Sequence, residues 1–81
     1  MRILISYPTK IGIFDIAQAN DKKYHPVFNE DSLGSFDTVQ DAVDALVSNN
    51  TSEVIDPETR KVVDTSSLGI SEDYLEWDTN Y

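Results

Sequence analysis

The 81-residue chain contains no cysteine. That excludes a disulfide framework and a thiolate zinc site, two of the staples by which small domains supplement a thin core. Proline and glycine number three each, too few for a disordered linker, and neither a low-complexity tract nor an internal repeat is visible. Basic residues are scarce, six Lys and Arg against fifteen Asp and Glu, for a formal net charge of −9. A chain this acidic is repelled by a phosphate backbone and by an anionic membrane surface, so neither direct nucleic-acid binding nor membrane binding is expected. No stretch approaches the ~20 apolar residues of a membrane span. The opening Met1-Arg2-Ile3-Leu4-Ile5-Ser6-Tyr7-Pro8 has too short an apolar run for a secretory core, so the expected location is cytoplasmic. The sequons at Asn49-Asn50-Thr51 and Asn50-Thr51-Ser52 then read as a polar helix exit. No cofactor-binding or metal-ligand motif is found; no cofactor is expected.

What is present fits one acidic α+β domain over residues 1–81, with its last few residues mobile. Ile3-Leu4-Ile5 is β-rich and leads to an expected break at Tyr7-Pro8-Thr9-Lys10. The stretch Ile11 to Ile16 has apolar residues on both faces, as a central strand does. Asn20-Asp21-Lys22 is a turn signal. Tyr24 to Phe28 is a third strand, confined to an edge or a bulge because Pro26 lacks a ladder donor. One helix follows. Asp37 as N-cap with Gln40 three residues on forms a capping box, and Val39, Ala42, Val43, Leu46 and Val47 repeat at helical spacing. At 100° per residue Asp37, Asp41 and Asp44 fall together opposite that stripe. Glu53-Val54-Ile55 and Lys61-Val62-Val63 read as two short strands around a turn at Asp56-Pro57-Glu58-Thr59-Arg60. Ser71 is placed to cap a short helical turn, after which Leu75 and Trp77 fold back onto the sheet. The expected architecture is a small antiparallel sheet of about five short strands, in the order β-β-β-α-β-β, with one amphipathic helix packed on one face.

Several residues are candidates for chemistry. His25 is the single histidine, so a catalytic or metal role there needs partners the sequence does not identify; a locally hydrogen-bonded strand residue is the simpler reading. The adjacent carboxylates Glu30-Asp31, Glu72-Asp73 and Glu76 with Asp78 have little room for a substrate cleft in a domain this small, and read as solvated surface. Asp64 to Gly69 has too few oxygen ligands for a calcium loop. Gly34 and Gly69 read as turns. Trp77 and Tyr81 are aromatic and near the acidic end, as interface anchors are.

The blocks Tyr24-His25-Pro26-Val27-Phe28, Leu33-Gly34-Ser35-Phe36, the helix Asp41-Ala42-Val43-Asp44-Ala45-Leu46, Asp64-Thr65-Ser66-Ser67-Leu68-Gly69-Ile70 and Tyr74-Leu75-Glu76-Trp77 together resemble a group of small, uncharacterised bacterial proteins. The similarity covers roughly positions 23–77, and its last two blocks are the most specific. Ser71 stands where that pattern has proline, and the Glu53 to Val63 hairpin is longer. The resemblance implies a shared fold and no activity.

Charge supplies the remaining signal, because it is segregated. Residues 1–29 carry two acids and four bases; all the net acid lies beyond them. Acids at i, i+4 and i+3 on a helix stand roughly 5–6 Å apart between neighbouring Cβ atoms, a row that can stand in for phosphates. The expected function is a non-enzymatic acidic protein-binding module, most sharply a nucleic-acid mimic that occupies a basic surface of a nucleic-acid-binding protein. Phage anti-defence proteins, anti-CRISPR proteins among them, and toxin-neutralising immunity proteins share this composition: small, acidic, free of cysteine. The residues assigned to partner binding are Asp37, Asp41, Asp44, Glu72, Asp73, Glu76 and Trp77, in a monomer or weak homodimer. Two alternatives stand beside it. One is a housekeeping interaction domain or homodimer using an apolar patch of Phe28, Leu33, Phe36 and Trp77. The other is a small hydrolase using His25 and a carboxylate.

Overall fold

The computed structural model describes residues 2–79; Tyr81, named above as an anchor at a mobile end, lies outside them. In chain order the elements are β1 (Arg2–Thr9), β2 (Gly12–Gln18), β3 (Tyr24–Phe28), β4 (Asp31–Ser32), helix α1 (Val39–Val47), β5 (Val54–Ile55), β6 (Val62–Val63) and β7 (Asp78–Thr79), with 3-10 turns at Thr65–Ser67 and Tyr74–Glu76. The fold is α+β. An antiparallel sheet in the order β4-β3-β2-β1-β7 carries the helix, and β5 with β6 makes a second sheet of two strands.

The first three strands form a meander, with β2 at its centre. Phe14 and Ile16 of β2 are fully buried on the helix-facing side, beside Ile5 of β1 and Pro26 and Phe28 of β3. The Phe14 and Phe28 rings stack at 4.5 Å between centroids. Ile13, on the opposite face, is exposed. The expected break at Tyr7-Pro8 does not occur: β1 continues through both. Among the described residues β7 pairs with Ile5 and Ser6, so at Pro8 β1 has its neighbour on the β2 side alone, and a proline there removes no ladder bond. Pro26 sits instead at an irregularity of the ladder between β3 and the chain after it. Its carbonyl accepts from the Leu33 N–H at 2.7 Å, just past β4, and beyond it Tyr24 pairs with Phe36 in a register shifted by one residue, so no donor is needed from Pro26.

Helix α1 lays Ala42, Val43 and Leu46 on the sheet, with Val39 and Val47 half-buried at its ends; Ala45, outside the expected stripe, is buried too. Its N-cap is Thr38, not Asp37: the Thr38 Oγ1 accepts from the Asp41 N–H at 3.0 Å. Asp37 is drawn off instead into an ion pair with Lys23. The C-terminus closes as a Schellman motif, with Asn49 in the left-handed region (φ 59°), its N–H donating to the Leu46 carbonyl and the Asn50 N–H to the Ala45 carbonyl. Fully buried Thr65 completes that end. Its hydroxyl donates to the Leu46 carbonyl, and its N–H donates to the Asn49 Oδ1 at 3.2 Å.

The C-terminal third departs most from expectation. β5 and β6 do not join the main sheet; its two outer positions are held by β4 and β7, and the hairpin instead turns Val54 and Val63 toward the core. The final turn is capped by Asp73, whose carboxylate accepts from the Leu75 N–H at 3.0 Å, while Ser71 accepts from the Asp73 N–H. Trp77 folds inward, 3% exposed and tilted against Tyr7. Leu75 does not: it is 78% exposed. One turn of 3-10 helix cannot direct both side chains to the same side, and the larger ring takes the core.

Two stability changes follow. Phe28 and Asp31 are register partners, so Asn29 and Glu30 form a two-residue hairpin loop in which both φ values are positive (54° and 71°). Such loops favour Asn-Gly, and here a glutamate stands in the glycine place. Glu30→Gly removes a left-handed strain of roughly 1–2 kcal/mol and adds unfolded-state entropy that offsets part of it, for a net gain of about 0.5–1 kcal/mol, read from the urea midpoint. Thr65→Val keeps the shape and removes the hydroxyl at the helix end; the same measurement should show a loss of about 1–2 kcal/mol.

Candidate functional site

Two acidic segments, separated in sequence, are joined in the fold by one side chain. Asp41 lies in the first turn of α1, where a carboxylate also meets the positive end of the helix dipole, and Asp44 lies one turn on. Gln40, expected to close a capping box, turns toward the C-terminus instead. Its side-chain amide donates to the Asp44 Oδ1 at 2.8 Å and to the Glu72 backbone carbonyl at 3.0 Å. One amide group thereby pins the segment Ser71 to Trp77 beside the helix. The segment is stiffened from within: the Ser71 hydroxyl donates to the Glu76 Oε2 at 2.6 Å, and the Trp77 Nε1–H donates to the Ser71 carbonyl at 3.0 Å.

Asp41, Asp44, Glu72, Asp73 and Glu76 are all exposed. None takes part in an ion pair among the described residues, where the pairs are Lys23–Asp37 and His25–Asp21. Asp37 therefore leaves the acidic row electrically: its charge is met by Lys23, whose ammonium is held above its ordinary pKa by the hydrogen bond to Asp37 and by that charge. Trp77 leaves it sterically, because its ring is packed inside. The exposed apolar residues of this surface are Leu75 and, beside it, Tyr74. Sequence reasoning missed them, since alternation alone does not say which of Leu75 and Trp77 takes the core. The apolar patch expected of Phe28, Leu33, Phe36 and Trp77 does not form: three of these are buried and Phe36 is half-buried.

His25 is neither isolated nor free. Its ring, 12% exposed, sits between β4 and the turn before β3. Nδ1 lies 2.9 Å from the Ser32 Oγ, and Nε2 lies 3.3 Å and 3.4 Å from the Asp21 carboxylate oxygens. The Ser32 hydroxyl also donates to the Gly34 carbonyl at 3.1 Å. Serine, histidine and aspartate are thus together, yet none of them lines the cavity of about 100 Å³ that lies between Phe28 and Val54. The arrangement fits a clamp that ties β4 and the Asn20–Lys22 turn to β3. On the far face of the sheet the Ser6 hydroxyl donates to the Asp15 carboxylate, and Asp78 of β7 is the register partner of Ser6 on its other side. Among the described residues no three His, Cys, Asp or Glu side chains converge as a metal ion requires. No helix among the described residues is long and apolar enough to cross a membrane.

The clamp has a pH signature. The Asp21 carboxyl is held below its ordinary value first by the Lys23 backbone N–H, which donates to it at 2.8 Å, and then by His25. A depressed carboxyl contributes stability that is fully present above its unfolded-state pKa and is lost as pH falls through the folded-state value. A carboxyl-carbon NMR titration should place Asp21 below the ordinary aspartate range, and Asp21→Asn should make the acid limb of the stability curve shallower there. Titration of Asp21 at the ordinary value would overturn this.

Compared with known proteins, the chain matches no family model, no curated protein and no solved structure.

Proposed function

We propose that the chain is a non-enzymatic protein-binding module whose acidic surface occupies the basic, nucleic-acid-binding surface of a partner protein, as a small inhibitor of the anti-defence or immunity type does. The observation that carries this is the junction made by Gln40. It ties Asp44 of α1 to the backbone of Glu72, in a segment that carries three exposed carboxylates and the exposed Leu75. Charge at such spacing steers association with a Lys/Arg groove and selects against acidic partners, but gives modest affinity in water. An apolar side chain ringed by polar contacts supplies what charge alone does not, because its burial is insensitive to salt. Leu75 takes the anchoring role first assigned to Trp77, and Asp41, Asp44, Glu72, Asp73 and Glu76 carry the electrostatic one. Asp37 contributes little, since Lys23 already meets its charge.

The two kinds of contact separate by ionic strength. With the immobilised chain as bait in extract of the native host, the captured protein is identified by mass spectrometry and its release of bound nucleic acid is followed by gel shift. Asp41→Lys/Asp44→Lys should weaken capture by about tenfold or more at low salt and by less as salt screens the surface. Leu75→Ala should weaken it by roughly tenfold at every salt concentration. Unchanged affinity in the charge-reversed variant at low salt would refute the acidic-surface reading, and a captured protein that keeps its nucleic acid would refute the mimicry.

A further inference from the structure

A second, separate feature lies on the other side of Leu33. The Leu33 N–H donates to the Pro26 carbonyl and the Leu33 carbonyl accepts from the Ser52 N–H at 2.9 Å, so the β3–β4 hairpin and the strand β5 are tied at this one residue. From there they diverge, one toward the Asn29-Glu30 turn and the other along β5. The wedge between them is the cavity of about 100 Å³. Its floor is apolar and comes from three parts of the chain: Phe28, Leu33 and Val54, each buried. Its rim is anionic: Asp31 on one lip and Glu53 on the other, both exposed and neither in an ion pair among the described residues. Ile55, at the side of the cavity, is exposed, and so is its register partner Val62, which extends the apolar ground outward.

We propose that this cleft is a docking site for an aliphatic side chain of leucine size carried between basic residues of a partner protein. A bare cation is a poor occupant, because the side chains of Phe28, Leu33 and Val54 carry no oxygen or nitrogen to ligate it. Two carboxylates without a third ligand also do not make a metal site. An apolar group is what the floor gains by burying, and flanking Lys or Arg side chains are what the rim attracts while remaining in water. The proposal rests on the preceding reading in one respect, a partner with a basic surface, and uses none of its residues.

The test is a titration of the whole ¹⁵N-labelled chain with an acetylated, amidated peptide Gly-Arg-Leu-Arg-Gly, followed by amide chemical shifts. Shifts should move at Asn29, Asp31, Leu33 and Glu53 to Ile55. Replacing the peptide's leucine by alanine should weaken binding about fivefold, for lost apolar burial. Replacing its arginines by glutamate should abolish it. The variant Asp31→Asn/Glu53→Gln, which changes two exposed carboxylates into amides of the same shape, should bind about threefold more weakly with the shift pattern of the folded chain retained. Shifts confined to Asp41, Asp44 and Glu72 to Glu76 would overturn the cleft and leave the acidic-surface reading standing. Equal affinity for the alanine peptide, or no shift with any peptide, would overturn the cleft, and the Asp41→Lys/Asp44→Lys experiment then judges the earlier reading by itself.

Discussion

Everything in this molecule depends on one layer of contact, the apolar stripe of α1 pressed on the face of the sheet that carries Phe14, Ile16 and Phe28. A chain of this length without cysteine has no other large source of stability, and a single core of this kind supplies roughly 3–5 kcal/mol net. The direction of that contact fixes which side chains face the solvent. Once Ala42, Val43 and Leu46 face inward, Asp41 and Asp44 face outward. Once Trp77 is taken into the same core, the segment that leads to it runs beside the helix, where Gln40 holds it. The acidic surface is thus a by-product of packing in its location, though not in its composition.

Parts of this were legible in the residues alone, and the reason is periodicity. The helix stripe, the three-strand meander with a central β2, the turn at 20–22 and the irregular pairing at Pro26 all follow from spacing or from the geometry of single residues. Where several residues competed for one role, the sequence did not decide. Asp37 and Thr38 are both good caps; Thr38 caps because Lys23, distant in sequence, engages Asp37. Leu75 and Trp77 both suit a core; the ring fills the space against Tyr7 and the leucine is left outside. Two-residue strands such as β4 and β7 leave no pattern at all, and their absence from the expected topology put β5 and β6 in the wrong sheet. The site was therefore only half legible: its charges could be assigned from the sequence, but not its apolar centre or the joining of its two halves.

The polar groups that are buried or half-buried serve as connectors. Thr65 fastens the 3-10 turn to the end of α1, His25 fastens β4 and the preceding turn to β3, and Gln40 fastens the last turn to the helix. Each joins segments that the hydrophobic layer alone would leave free to shift, and each does so with hydrogen bonds worth about 1 kcal/mol rather than with a covalent staple. Fixing three such joints makes a small core specify one arrangement.

The knot of Leu46, Asn49 and Thr65 has a further meaning for the chain between them. Its two ends are held at the helix terminus, so residues 50–64 form a closed excursion whose tip is the turn 56–60, exposed from Pro57 onward. The entropy of such an excursion grows only slowly with its length, and its tip is solvent-facing polar chain. That turn is the position at which a fluorophore, an epitope or a whole inserted domain can be carried while the helix, the sheet and the acidic face keep their places.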